Sequence, residues 1–205
     1  MKLLKKSIVI MCFMFGMLTC SKAEEAAKTA VTKLVNDIQS ILKSGGRENE
    51  FKPILQGSFY AELIAGQVLK GVQKELMNTI GREEAKEKIK QFKADFTPIF
   101  TDYMIRKYSK KDFLDKFKGM ALQVGNSYSE GEYVIVNTTF KSDAGSGGDL
   151  KVTFKMRNGK VAEITFDQSI GVFAIEQSGV TGYFTGECKG DLQALARKYQ
   201  ALPAN

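Results

Sequence analysis

The chain has 205 residues, with 14 phenylalanines, no tryptophan and no histidine, and 30 basic side chains against 23 acidic ones. The lack of histidine excludes Ser-His-Asp and Cys-His nucleophilic sites and takes away the commonest zinc ligand. There is no GxxxxGK[ST] loop and no GxGxxG turn between a strand and a helix, so the usual nucleotide cradles are missing too.

The first residues read as a secretory signal. Lys2, Lys5 and Lys6 make a basic start, and Ile8 to Thr19 is an uninterrupted apolar or small run. Ser21-Lys22-Ala23 then offers small residues at the positions a signal peptidase reads, which predicts cleavage after Ala23. The run is shorter than the roughly 20 residues a membrane span needs. An acylated Cys20 is the alternative, but Thr19 before it is bulkier than the Gly or Ala such a site wants. The expectation is therefore a signal peptide over residues 1–23, a single domain over 24–205, and a periplasmic location. Residues 1–23 hold four lysines and no acid, so residues 24–205 set 26 cations against 23 anions. A net charge of +3 is too mild to imply nucleic acid as a partner. Cys12 and Cys20 would leave with the signal and Cys188 would stand alone, so the fold must rest on its hydrophobic core.

From Glu24 to Lys43 the apolar residues Ala27, Ala30, Val31, Leu34, Ile38, Ile41 and Leu42 recur at helical spacing, and Ser44-Gly45-Gly46 ends that helix. Shorter helical sets follow around Phe51 and Leu55, then Phe59, Leu63, Ile64 and Val68, with Gly57, Gly66 and Gly71 shortening or bending them. The clearest helix runs from about Arg82 to Tyr108. Its stripe of Ala85, Ile89, Phe92, Phe96, Ile99, Phe100, Tyr103 and Met104 stays in phase across Pro98, which predicts a kink rather than a restart. From Phe117 the period becomes two. Leu122 and Val124 begin a strand, and Ser129-Glu130-Gly131 reads as a turn. Val134, Val136 and Phe140 alternate next, and a glycine-rich connector spans Ser142 to Asp149. Leu150, Val152, Phe154 and Met156 alternate with polar residues, Asn158-Gly159 signals a tight hairpin, and Ala162, Ile164 and Phe166 return. Gly190-Asp191 opens a final helix with Leu192, Leu195, Ala196 and Tyr199 on its buried side. This is an α+β pattern: N-terminal helices, an antiparallel meander with one dry face, and a C-terminal helix.

Chemistry-bearing residues are few. Glu163 and Asp167 alternate away from the apolar strand face and are expected to meet water, as are Asp95 and Asp102 on the long helix. Cys188 has one neighbouring lysine and no histidine to activate it, so it reads as a small, partly buried residue. No enzyme activity and no cofactor are expected.

Taken together, Val68-Leu69-Lys70-Gly71, the stripe Phe92, Phe96, Phe100 and Tyr103, the turn at Gly171-Val172 and the late Lys189-Gly190 before a terminal helix make a layout that resembles the MlaC family. Members of this family, the toluene-tolerance auxiliary component, carry phospholipid through the periplasm. The chain departs from the family in lacking tryptophan, in having Phe173 where the family's GVS turn has serine, and in placing Asp167 about one residue out of step. The resemblance implies a curved meander and helices enclosing an apolar cavity, a phospholipid ligand, and two partners. Those partners would be an inner-membrane MCE-domain ABC transporter complex and an outer-membrane lipoprotein complex, between which lipid is exchanged to keep the outer membrane asymmetric. The implied lining is Phe92, Phe96, Phe100 and Tyr103 from the long helix and Val136, Phe154, Met156, Ile164 and Phe166 from the strands. Phe59 and Leu63 join them from the early helices, while the facing of Phe173 is not fixed by the pattern. Periodicity alone reads the same stripe as ordinary core, and a filled-core periplasmic chaperone or adaptor is the competing function. Two acyl chains of about fifteen methylenes each represent roughly 24 kcal/mol of apolar transfer, so a carrier needs a dry interior and no catalytic group.

Overall fold

A computed structural model describes residues 2–45, 48–110, 120–142, 149–167 and 171–202, with side chains from residue 22 onward except at 48 and 142. The chain order is α1 (Lys2–Lys43), α2 (Glu48–Ser58), α3 (Ala61–Val68), α4 (Lys70–Ile80) and α5 (Arg82–Tyr108). Then come β1 (Met120–Glu130), β2 (Tyr133–Ser142), β3 (Leu150–Arg157), β4 (Lys160–Phe166), α6 (Val172–Thr185) and α7 (Leu192–Ala201). The change of period placed at Phe117, and the interior of the connector between Ser142 and Asp149, lie outside the described residues. Among the described residues no helix is long and apolar enough to cross a membrane.

The four strands form one sheet in the order β1-β2-β3-β4, every neighbour antiparallel, which is the expected meander. Asn158 (φ 51°) and Gly159 (φ 72°) both take the left-handed conformation that a two-residue hairpin demands. The first turn falls at Gly131-Glu132, between the paired Glu130 and Tyr133, rather than at Ser129-Glu130-Gly131, because β1 stays paired to its end. A register shift sets Lys155 opposite Glu163 but Met156 opposite Val161, so Ala162 is an extra residue on β4. Bulges of this kind bend a strand, and here consecutive residues, Val161 and Ala162, are both buried.

Helix α1 begins at Lys2 rather than at Glu24, so the early apolar run and the expected first helix are one helical stretch. Helix α5 runs unbroken through Pro98, which excludes a restart there. The hydroxyls of Thr97 and Thr101, on either side of the proline, bond back to the carbonyls of Lys93 and Thr97, both at 2.7 Å. Helix α6 had no counterpart in the sequence reading. Its buried positions are Phe173, Glu176, Val180 and Phe184, and an acid in the stripe plus Gly179 and Gly182 hide the helical period. Asp191 caps α7 by accepting from the Gln193 N–H at 2.8 Å.

The interior is divided into two cores. One is helical, with Val68, Leu69, Val72, Phe92, Phe96, Phe100, Phe184, Leu195 and Tyr199 drawn from α3 to α7. The other joins Ala27, Val31, Leu34 and Val35 of α1 to Val136, Phe140, Val152, Phe154 and Met156 of the sheet. The implied lining sets the stripe of the long helix against the strands, and the structure corrects this. The long aromatic helix does not cover the dry face of the sheet; α1 does, lying over β1 and β2. Helix α5 packs on α3, α4 and α7, and its stripe Ala85, Ile89, Phe92, Phe96, Phe100 and Tyr103 belongs to the helical core. Phe59, just after α2, packs against both cores.

Candidate functional site: an apolar cavity between the two cores

Where the two cores meet they do not close, and a cavity of about 170 Å³ remains. Helix α1 supplies Leu34, Val35, Ile38 and Gln39, and α2 supplies Phe51 and Leu55. Phe59, Ala61 and Ile64 follow from the α2–α3 junction and α3. The C-terminal half of α5 contributes Phe100, Thr101, Met104, Ile105 and Tyr108, and the start of α6 contributes Val172 and Phe173. From the sheet come Phe140, Val152, Phe154, Ile164 and Phe166. The register explains that choice. Phe154 pairs with Ile164 and Val152 with Phe166, so two adjacent rows of β3 and β4 face the void while α1 covers the β2 ends of those rows.

Five of the residues expected from sequence come together here: Phe59, Phe100, Phe154, Ile164 and Phe166. The other six are placed elsewhere. Phe92, Phe96 and Tyr103 belong to the helical core, where Phe92 stacks on Phe96 at 5.1 Å and Tyr103 meets the Tyr199 ring edge-on at 4.9 Å. On α5 the lining begins at Phe100 and runs toward the C-terminus as far as Tyr108, so Phe92, about two turns before Phe100, lies outside it. Val136 and Met156 are buried in the core formed by α1 and the sheet, and Leu63 is half-buried on α3 outside the lining. Phe173, whose facing the pattern left open, turns inward and meets Phe59 edge-on at 6.2 Å. The residues of α1 could not be found as lining from sequence, because an amphipathic stripe says that a helix is covered but not by what.

The polar groups of the wall are occupied. The Gln39 amide donates to the Met120 carbonyl at 2.6 Å, and the Thr101 hydroxyl to Thr97. The Tyr108 hydroxyl donates to the Glu176 carboxylate at 2.7 Å. Lys107 donates to the same buried oxygen at 2.7 Å. Burial, then Glu176, pushes the Tyr108 hydroxyl pKa far above its usual range. Burial alone would lower the Lys107 pKa, but the bond to Glu176 and its charge outweigh that and raise it. The cavity thus presents mainly hydrocarbon and aromatic carbon, and Gln39, Thr101 and Tyr108 each donate to a group of the protein. It suits an apolar ligand.

Two of the acids expected to meet water need separate treatment. Asp167 is exposed, as expected. Glu163 is not: it is half-buried and accepts from the N–H of Phe173 and of Ile164, both at 3.0 Å. Burial raises its pKa above the ordinary carboxylate value, and the two N–H groups and Lys155 offset only part of that. Helix α6 packs against β4, which brings its first turn to Glu163. Cys188 is buried in the helical core, and its thiol pKa is raised first by desolvation. Among the described residues no three His, Cys, Asp or Glu side chains are grouped to hold a metal ion.

No protein-family profile matches the chain, and no curated protein matches it in sequence. Among solved structures, a phospholipid-binding protein from Ralstonia solanacearum, determined in complex with a phospholipid, superposes with a TM-score of 0.59. The match covers 84% of this chain and 94% of that one at 12% sequence identity. The chain therefore has the α+β fold of that protein: N-terminal helices, a four-stranded antiparallel sheet and C-terminal helices.

Proposed function

We propose that the chain is a periplasmic phospholipid carrier that holds acyl chains in the cavity between its two cores. The observation that carries this reading is the cavity itself, walled by eight aromatic rings and by aliphatic side chains, with Gln39, Thr101 and Tyr108 each bonded to another protein group. The likeness in fold to a protein solved with a phospholipid supports it. A filled-core adaptor would have no use for such a void. By the same reading the N-terminal signal directs export, with cleavage after Ala23. Lipid is then received from and delivered to an outer-membrane lipoprotein complex and an inner-membrane MCE-domain ABC transporter complex.

The volume sets a condition. A cavity of about 170 Å³ is on the scale of the roughly 150 Å³ that seats a benzene ring, so two full tails enter only as the walls part. The seam between the cores is where they part, since the elements on its two sides belong to different clusters. Native mass spectrometry of the full chain purified from a bacterial envelope tests the proposal. The expected result is a bound mass matching a phospholipid, and a uniformly ligand-free protein overturns it.

A further inference from the structure

We infer that Glu163 is a positioning residue for ligand binding: from β4 it caps helix α6 and so holds the Phe173 side of the cavity wall against the sheet. Helix α6 starts at Val172, and its N-cap, Gly171, has no side chain with which to satisfy the first amides. Glu163 supplies the missing acceptor from another element. Its carboxylate receives the N–H of Phe173, the second residue of the helix, where an N-cap side chain would normally bond. A negative group there also meets the positive end of the helix dipole.

Gly171 shows that the approach is close. A Cβ built on it would lie 2.6 Å from the carboxyl carbon of Glu163 and 2.8 and 2.9 Å from its two oxygens. Any larger residue at 171 would displace the carboxylate from the helix. The bond joins two parts of one wall, because Ile164 next to Glu163 and Val172 and Phe173 on α6 all line the cavity. A second fastening lies one turn further on, where Glu176 is held by Lys107 and Tyr108 of α5. The start of α6 is thus tied to the sheet by Glu163 and to α5 by Glu176. Phe173 lies between the two ties and packs on Phe59, the residue shared by both cores.

This inference rests on the carrier reading, and one experiment separates the two. The full chain, stripped of lipid, is titrated with a phosphatidylcholine carrying a fluorescent parinaroyl chain, and folding of each variant is checked by circular dichroism and urea midpoint. Glu163→Ala is expected to weaken binding about fivefold, the scale of a lost N-cap, mainly through faster release. Glu163→Gln keeps an oxygen for the Phe173 N–H and should recover most of that loss. Gly171→Ala should weaken binding in the parent chain but add little to Glu163→Ala, where the obstructing carboxylate is gone. Equal binding by the parent chain and both Ala variants overturns the inference, and so does a Gln variant as weak as Ala. A parent chain that binds no probe overturns the carrier reading instead.

Discussion

The centre and the C-terminal end of helix α5 carry the same kind of side chain in different surroundings. At its centre Phe92 and Phe96 stack on each other, and Phe96 and Tyr103 pack on Tyr199, in a region filled by α4, α6 and α7. Toward its C-terminus Phe100, Met104 and Tyr108 meet α1, the sheet and the start of α6 across a gap. Phe100 belongs to both, since it stacks on Phe96 at 5.6 Å and also lines the cavity. An aromatic stripe is therefore not in itself a ligand wall. What makes it one is a facing surface whose shape it does not match.

Substitutions can break this comparison or sharpen it. The largest effect on stability is expected from Phe96→Ala, because Phe96 is fully buried among the rings of Phe92, Phe100 and Tyr199. A loss of about 3–5 kcal/mol in urea unfolding is expected, with lipid retained per folded molecule unchanged. Equal loss of lipid and of folded protein from the centre and the end of α5 would erase the distinction. Phe154→Asp places a charge in the dry wall, and lipid co-purification should fall on the order of tenfold or more, since a lone buried carboxylate is costly. Asp191→Ala removes the cap of α7, at the far side of the helical core, and should cost about 1 kcal/mol without touching the ligand. Lys52→Ala breaks an exposed pair with Asp102 between α2 and α5 and should cost less than about 0.5 kcal/mol.

Glu163 adds a pH signature. Burial raises its folded-state pKa above the value in the unfolded chain, so between the two values the folded state holds a proton that the unfolded state has lost. Its contribution to stability accordingly falls as pH rises through that window and is least above it. Urea midpoints measured across mildly acidic pH should show this downward slope in the parent chain and a flatter one in Glu163→Gln. Identical slopes would mean that the carboxyl group is not buried as described.

Much of the fold was legible in advance, and for physical reasons. The alternation of Val152, Phe154 and Met156 and the Asn158-Gly159 turn are short-range signals, and the strands and hairpin appear where they point. Helix α6 was not legible, because Glu176 occupies a buried position that only Lys107 and Tyr108 of another helix make tolerable. The burial of Glu163 was not legible for a related reason: helix α6, which covers it, lies against β4, and Gly171 leaves room for its carboxylate at the helix end. Of the cavity wall, Phe59, Phe100, Phe154, Ile164 and Phe166 were visible, while Phe51, Phe140, Val152, Phe173 and the residues of α1 were not.

By itself the sequence determined most of the helices and strands, α6 excepted, and which face of most of them is dry, since periodicity and turn chemistry act within a few residues. Only the tertiary structure decided that α1, not α5, lies on the sheet, and that the two cores meet imperfectly. Apolar faces are chemically interchangeable, so the choice of partner, and the gap left by an inexact fit, depend on the shapes of surfaces far apart in the chain.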